Sequence, residues 1–302
     1  MTTGSGMLAD SGFTPLRGTR GLWREHPVLK RQGVTFDDVV REDYFQASPS
    51  RFWYFWGSLY NRLRDLEPHE GYQKLLDLLL RVKGENDWFV YHEGVDLLYE
   101  RAEYPHDAVM QGKGSLFYWQ CKPCNMVSRV ATYRFLLDHD KGEAVSVPHC
   151  SKCRRPVRPN VNLRNDMEWL ETHAQRQNEN FEKWFSARDK RSLTVLEIGA
   201  GPVQPLARRI GESLLKDDKY RTALIRINPV RERDSQYRWE RDQISTLLKE
   251  QRAGGADFEV PDFLERDHRD VVKEEEKQYA ALKNVLIEME TGALNGIRLL
   301  RQ

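Results

Sequence analysis

The four cysteines of the chain are grouped in two C-x-x-C pairs, Cys121/Cys124 and Cys150/Cys153. A pair with this spacing presents two thiolates on one tight turn, and two such turns can surround one tetrahedral metal ion. The separation of the pairs, about 25 residues, is typical of a zinc ribbon. Because four thiolates leave no open coordination position, we expect a structural Zn²⁺ ion rather than a catalytic one. The alternatives are four unrelated core thiols, or a site in which His149 replaces one thiolate.

Two short glycine turns could hold a phosphate group, Gly4-Ser5-Gly6 and Gly199-Ala200-Gly201. Backbone amides at such turns, and at the helix ends that follow them, are common phosphate ligands. The second turn ends the apolar stretch SLTVLEIGAG, just before a helix pattern at 205–215. Either turn alone is weak support for a nucleotide site, so the surrounding elements decide the interpretation.

The elements that would position these residues alternate between strand and helix patterns. Apolar residues at three- and four-residue steps predict helices, and short apolar runs predict buried strands. The predicted helices are 49–66, 71–82, 166–185 and 205–215, and the predicted strands are 88–95, 116–121, 192–201 and 222–229. This alternation predicts a mainly parallel sheet covered on both faces, with ligands at the carboxyl ends of its strands.

Residues 230–290 are highly charged and have helical spacing at two places. The apolar positions are Ile244, Leu247 and Leu248 in the first, and Tyr279, Leu282, Leu286 and Met289 in the second. We expect two helices that flank the GGAD loop and pack, well solvated, on one edge of the domain.

Composition limits the classes of protein and partner. The 302 residues are enough for one large domain or two smaller ones, and the net charge of +1 gives no field that attracts nucleic acid or lipid. No apolar run approaches the roughly 20 residues of a membrane span, and the polar start MTTGSG is unlike a secretory signal. We expect a soluble intracellular protein, cytoplasmic or nuclear, without membrane or nucleic-acid partners.

Further stretches, in chain order, match the motifs of one family. They are TGSGMLADSG (3–12), FTPLRG (13–18), GLWREHP (21–27), PHEGY (68–72), YHEGVD (91–96), QGKGSLF (111–117), RPNVNLRNDMEW (158–169), EIGAGPVQP (197–205), IRINP (225–229) and TGALNGIRLL (291–300). With the cysteine pairs between them, they make the chain resemble the sirtuins, the NAD-dependent protein deacylases, over almost its whole length. The helical stretches resemble a bacterial-type branch of that family.

The resemblance implies an α/β fold, with a Rossmann-like parallel sheet and a small domain made of the four-cysteine zinc ribbon and a helical insertion. The Rossmann-like parts would be 1–30, 85–118 and 161–302, the last with the charged insertion at about 230–285. The helical module would be 31–84 and the zinc ribbon 119–160. The first strand of the sheet is expected to be missing, because Met1 stands only three residues before the first glycine turn.

The resemblance also implies the ligands and their residues. Sirtuins bind NAD and an acyl-lysine protein in the cleft between the two domains, where the acyl oxygen attacks the ribose carbon as nicotinamide leaves. The residues carried over as cofactor-binding are Gly4, Ser5, Gly6, Arg17, Gly94, Asp96, Gly199, Ala200, Gly201 and Asn228. NAD or ADP-ribose is therefore the expected ligand, and an acyl-lysine protein is a candidate substrate.

The chain departs from the family at the residues that do chemistry. Lys113 stands at the position of the catalytic histidine, which takes a proton from a ribose hydroxyl. An imidazole, with a pKa near ~6.5, accepts a proton at neutral pH, whereas a lysine amine near ~10.4 is already charged. Gly94 replaces an asparagine, Thr14-Pro15-Leu16 replaces Pro-Asp-Phe, and Asn165-Asp166 alters the backbone beside the acyl-lysine strand.

Three functions remain open from the sequence. The favoured one is an NAD- or ADP-ribose-binding protein whose deacylase chemistry is weakened or lost. The second is an active deacylase or ADP-ribosyl transferase that uses Lys113, His92 or Glu93 as a non-standard base. The third is a zinc-stabilised interaction module that uses the charged 230–290 helices and the basic residues at the ribbon, Lys152, Arg154, Arg155 and Arg158.

Overall fold

The structure is a computed structural model that describes residues 1–14, 21–83, 87–188, 192–201, 206–217, 219–228, 285–289 and 293–300. Arg17 lies outside the described residues, as does the first of the two expected helices of the charged segment. The third proposed function, which depends on that segment, therefore stays a prediction.

The centre of the fold is a six-stranded sheet in the order β11-β10-β9-β1-β2-β3, with every neighbouring pair parallel. The strands are β1 (Thr2–Thr3), β2 (Val90–His92), β3 (Val109–Gln111), β4 (Gly114–Cys121), β5 (Met126–Arg129), β6 (Leu137–Asp138), β7 (Glu143–Ala144), β8 (Arg158–Val161), β9 (Ser192–Ile198), β10 (Arg221–Ile227) and β11 (Val285–Met289). Strands β4, β5 and β8 form a second, antiparallel sheet beside the cysteines, and β6 pairs with β7. The expected parallel α/β fold is confirmed.

The central position of the large sheet is occupied by β1, although this strand has only two residues. Thr2 pairs with Tyr91 on β2 and with Glu197 on β9, and Thr3 continues both ladders. The carbonyl of Met1 also accepts a hydrogen bond from the amide of Tyr91 (2.8 Å). A short segment of the chain therefore stands in the place of the first strand and pairs the backbone groups at the end of the sheet that carries the glycine turns.

The helices described are α1 (Pro27–Arg31), α2 (Phe36–Val39), α3 (Glu42–Ala47), α4 (Pro49–Arg64), α5 (Glu70–Lys83), α6 (Leu98–Arg101), α7 (Thr172–Ser186), α8 (Leu206–Lys216) and α9 (Ala293–Leu299). The aromatic residues of α4 pack inside, as their spacing predicted. Trp53 stacks on Phe135 with ring centroids 4.7 Å apart, and its indole N–H donates to the carbonyl of Val157 (2.8 Å). These contacts join the helical module to the ribbon. None of the helices in the described ranges is long and apolar enough to cross a membrane.

Two elements differ from the sequence-based prediction. Val285–Met289, the described part of the second expected helix of the charged segment, forms strand β11, which pairs with β10 from Ala223↔Val285 to Ile227↔Met289. A short apolar run such as VLIEM can form a helix or a strand, and here it forms a strand because it pairs with the edge of β10. Helix α7 begins six residues later than predicted. The carboxylate of Asp166 accepts hydrogen bonds from the backbone amides of Leu163 and Glu168, and these bonds stabilise a turn after Asn165 in place of the first helical turn.

Candidate nucleotide site and metal centre

The four cysteine sulfurs lie within 4.8 Å of one another, and two of them are buried. The Cys121 and Cys153 sulfurs are 3.5 Å apart, and those of Cys150 and Cys124 are 3.9 Å apart. Sulfurs bound to Zn²⁺ at about 2.3 Å in a tetrahedron are roughly 3.8 Å apart, whereas a disulfide requires about 2.05 Å. The cluster therefore fits the expected zinc ribbon.

The ribbon also supplies different environments for its thiols. Backbone amides of Cys153 and Lys152 lower the pKa of the Cys150 thiol to about 6, which favours the thiolate that a metal requires. Burial raises the pKa of the Cys121 thiol to about 12. Metal binding at this cluster must therefore displace a proton from at least one sulfur. His149 is exposed beside the cluster.

Residues that follow five of the parallel strands meet at one edge of the sheet. We call Gly4, Glu93, Lys113, Gly199 and Asn228 the strand-end cluster, after β1, β2, β3, β9 and β10 respectively. Open parallel sheets bind ligands at this edge. The fold therefore brings both glycine turns, Lys113 and Asn228 to one region, as expected.

The two glycine turns pack directly on each other. The amide of Gly4 donates to the carbonyl of Ile198, and that of Gly6 to the carbonyl of Gly199, both at 3.0 Å. A Cβ on Gly4 would overlap the carbonyl of Gly199, and a Cβ on Gly6 would lie 2.7 Å from the Gly199 Cα atom. Only residues without a side chain permit this approach, so the two turns form one rigid backbone unit.

The outer end of this unit is open. A Cβ on Gly201 would meet no heavy atom of the described residues within 4 Å. Within that same part of the chain, the amide of Gly201 donates to no acceptor. Ser5, in the other turn, is exposed. Backbone donors beside open space fit a phosphate group.

Lys113 is half-buried two residues beyond β3, and its carbonyl accepts the amide of Asn162 (2.9 Å). Its positive charge acts on the carboxylate of Glu93. That carboxylate also accepts a hydrogen bond from the backbone amide of Ala207, at the start of α8 (3.0 Å). Burial raises the pKa of Glu93 above its ordinary value, and Lys113 and the amides of α8 offset only part of that shift. The charge of Lys113 therefore acts on Glu93 within the strand-end cluster.

Asp96 lies four residues beyond β2 and is engaged inside the protein. One carboxylate oxygen accepts the amide of Leu98, and the other is hydrogen-bonded to Nε2 of His92, both at 2.9 Å. The other ring nitrogen of His92 contacts the hydroxyl of Thr3 (2.9 Å). Burial raises the pKa of Asp96, but its bonds to His92 outweigh burial and leave the pKa below its ordinary value.

His92 and Asp96 also explain why position 94 is a glycine. A Cβ on Gly94 would overlap both Nε2 of His92 and a carboxylate oxygen of Asp96. His92 and Asp96 are each 1% exposed, so neither side chain can move aside into solvent. The fold around His92 and Asp96 therefore leaves no space for a side chain at position 94.

One residue of the proposed basic cluster at the ribbon is misassigned. Arg158 is 3% exposed, and its Nη2 atom donates to both oxygens of Asp166 at 2.7 Å. Its charge is therefore neutralised inside the protein. Lys152, Arg154 and Arg155 are exposed, as that interpretation requires.

Sequence reasoning named Glu93 only as one of three alternative bases and did not find its contact with α8. The single available signal was a carboxylate immediately after a buried strand pattern. The fold nevertheless defines a class of protein. It combines a parallel α/β sheet, paired glycine turns at the carboxyl ends of its strands, and a four-cysteine ribbon inserted between the parts of the sheet.

Comparison with known proteins identifies the family. The model of the Sir2 family matches residues 4–183, which is more than half of the chain. The chain therefore belongs to the Sir2 family, the sirtuins.

Individual relatives are distant. An NAD-dependent protein deacylase of Bdellovibrio bacteriovorus is 25% identical over 264 residues, which cover 87% of this chain and 93% of the relative. NAD-dependent protein deacylase 2 of Archaeoglobus fulgidus is 29% identical over 156 residues, 50% of this chain. The chain spans about half the length of the first curated relatives it matches, 52% and 56%.

Solved structures agree on the fold. A Sir2 homologue in complex with NAD aligns with a TM-score of 0.56 and 19% identity, covering 100% of this chain and 89% of that chain. A Sir2 protein bound to acetylated peptide aligns with a TM-score of 0.55 and 15% identity, covering 99% and 90%.

Proposed function

We propose that this sirtuin binds NAD or ADP-ribose in the strand-end cluster and that its deacylase chemistry is weakened or lost. The observation that carries the proposal is the pairing of the two glycine turns at the ligand edge of the sheet, where a side chain on Gly201 would meet none of the described residues and Asn228 lies beside Ala200. Relatives named as NAD-dependent deacylases, and a homologue solved with NAD, support this choice of ligand.

The weakened chemistry follows from Lys113. NAD supplies the ribose carbon at which the family's reaction occurs, and the proton of a ribose hydroxyl must be accepted by a nearby base. A charged amine has no lone pair for that proton. It instead favours retention of an anionic ligand such as ADP-ribose. We therefore propose a role in binding rather than in turnover.

Calorimetry with ADP-ribose tests the binding, and Asn228→Asp is the informative variant. This substitution keeps the size of the side chain but places a negative charge beside the glycine turns. A charge at about 4 Å from a phosphate costs roughly 1–4 kcal/mol, so we expect affinity to fall about fivefold or more. Gln32→Glu, which adds the same charge at an exposed site beside Lys141, should stay within about twofold. No detectable binding by the wild type at millimolar ADP-ribose would refute the proposal.

A second candidate function is an active deacylase or ADP-ribosyl transferase in which Glu93 is the base. The raised pKa of Glu93, beside Lys113 and at the same sheet edge as the glycine turns, favours this candidate. Nicotinamide release from NAD with an acyl-peptide, measured from pH 6 to 10 in the wild type and Glu93→Gln, decides between the two. Release by the wild type that Glu93→Gln abolishes supports the second candidate, and its absence at every pH rejects it.

A further inference from the structure

The carbonyl of Ala200, in the second glycine turn, accepts two side-chain hydrogen bonds. The Nη2 atom of Arg208 is 3.3 Å from it, and the Nδ2 atom of Asn228 is 3.0 Å from it. Ala200 itself is completely buried. The peptide unit between Ala200 and Gly201 is planar and trans, so its N–H points away from its C=O. Anchoring the carbonyl therefore fixes the direction of the Gly201 amide.

Arg208 is held in turn by a buried cluster of charges on β9, β10 and α8. Glu197, which is fully buried two residues before Gly199, is 2.6 Å from Nε of Arg226 and 3.7 Å from Nε of Arg208. Arg226 also contacts Glu212 at 2.8 Å. The two arginines and two glutamates balance in charge, and each restrains its neighbours.

Such a cluster is poor at raising stability, because desolvation offsets most of the attraction between buried charges. The cluster can instead act on geometry, because Glu197 restrains the guanidinium of Arg208 beside the turn. Arg208 is only 4% exposed, which argues against contact between its guanidinium and a ligand. An effect of Arg208 on binding must therefore act through Ala200.

We propose that Arg208 is a positioning residue for the nucleotide turn. Through the Ala200 carbonyl it aims the Gly201 amide at the pyrophosphate of the ligand before the ligand arrives. The nature of the ligand rests on the proposed function, whereas the positioning itself is a property of the ligand-free protein. Fixed donors improve affinity because no ordering is required on binding.

The test compares Arg208→Met with Arg208→Lys and a control, Arg188→Met. Arg188 lies two residues beyond α7, pairs with Asp87 and stacks on Trp184, so its loss removes an arginine outside the turn and its charge cluster. The first measurement is the NMR order parameter of the Gly201 amide without ligand. We expect about 0.85 in the wild type and the control, and below about 0.6 in Arg208→Met. Arg208→Lys, which keeps a charge beside Glu197 and therefore the fold, should fall between them.

The second measurement is ADP-ribose affinity, which we expect to fall about tenfold in Arg208→Met and to stay unchanged in the control. If the wild type binds no ADP-ribose, the proposed function fails while the order parameters still decide the positioning. If the Gly201 amide has the same order parameter in both Arg208 variants as in the wild type, the inference is overturned, even if the melting temperatures of the variants fall. Should Arg208→Met not fold, Arg208→Lys alone gives the same decision.

Discussion

His92 occupies the space into which a side chain at Gly94 would project. Its Nε2 atom, bonded to Asp96, overlaps the position of a Cβ on Gly94. An imidazole that is fixed at both ring nitrogens therefore fills the space that a side chain at position 94 would need.

Gly94→Asn is therefore expected to destabilise the protein rather than restore a sirtuin site. The φ angle at Gly94 is not in the left-handed region, so the cost comes from overpacking, about 1–3 kcal/mol. Urea unfolding measures it. His92→Ala removes the overlap with the imidazole but not that with Asp96, so Gly94→Asn should cost less in the His92→Ala background than in the wild type. An equal cost of Gly94→Asn in both backgrounds would contradict the coupling.

Asp96→Asn should lower the free energy of unfolding by about 1.5–3 kcal/mol, because it replaces the charged acceptor of two buried hydrogen bonds. Asp65→Asn, at an exposed pair with Arg64, should cost less than about 1 kcal/mol. The pKa of Asp96 is lowered in the fold, so its ionised form stabilises the protein above its ordinary pKa of 3.8. The difference between wild type and Asp96→Asn should therefore shrink as the pH falls through the lower folded pKa.

Lys113→Met should raise the pKa of Glu93 further, because it removes the positive charge that offsets burial. A carbon-13 titration of the glutamate carboxyls measures this. Lys122→Met, which removes a charge beside Glu168 instead, is the control. The protonated form of Glu93 is the one the fold favours, so its stabilising contribution is lost as pH rises through the folded pKa. An unchanged titration of Glu93 in Lys113→Met would show that the two side chains do not interact.

One Zn²⁺ ion per chain is expected, measured by metal release, and chelation should lower the melting temperature. Cys150→Ser should lose the ion, whereas His149→Ala should keep it. Because burial raises the pKa of Cys121 to about 12, binding displaces a proton and the apparent zinc affinity should increase with pH. Loss of zinc in His149→Ala would instead make the histidine a ligand.

The parts of the site that depend on local spacing were predictable from the sequence. The two C-x-x-C pairs and helix α4 each carry their own signal over a few residues. Strand β1 could not be found in this way, because Thr2 and Thr3 are too few to show an alternation. The overlap of Gly94 with His92, and the contact of Glu93 with Ala207, depend on how separate elements meet, which no local pattern encodes.

We expect nucleotide binding to persist although Lys113 stands at the position of the family's histidine. Nicotinamide release by the wild-type protein decides this, with an acetyl-lysine peptide and NAD at a concentration that calorimetry shows to be saturating. We expect release at or close to the protein-free rate although NAD is bound. Repeated turnovers by the wild type that disappear in Lys113→Met would contradict it.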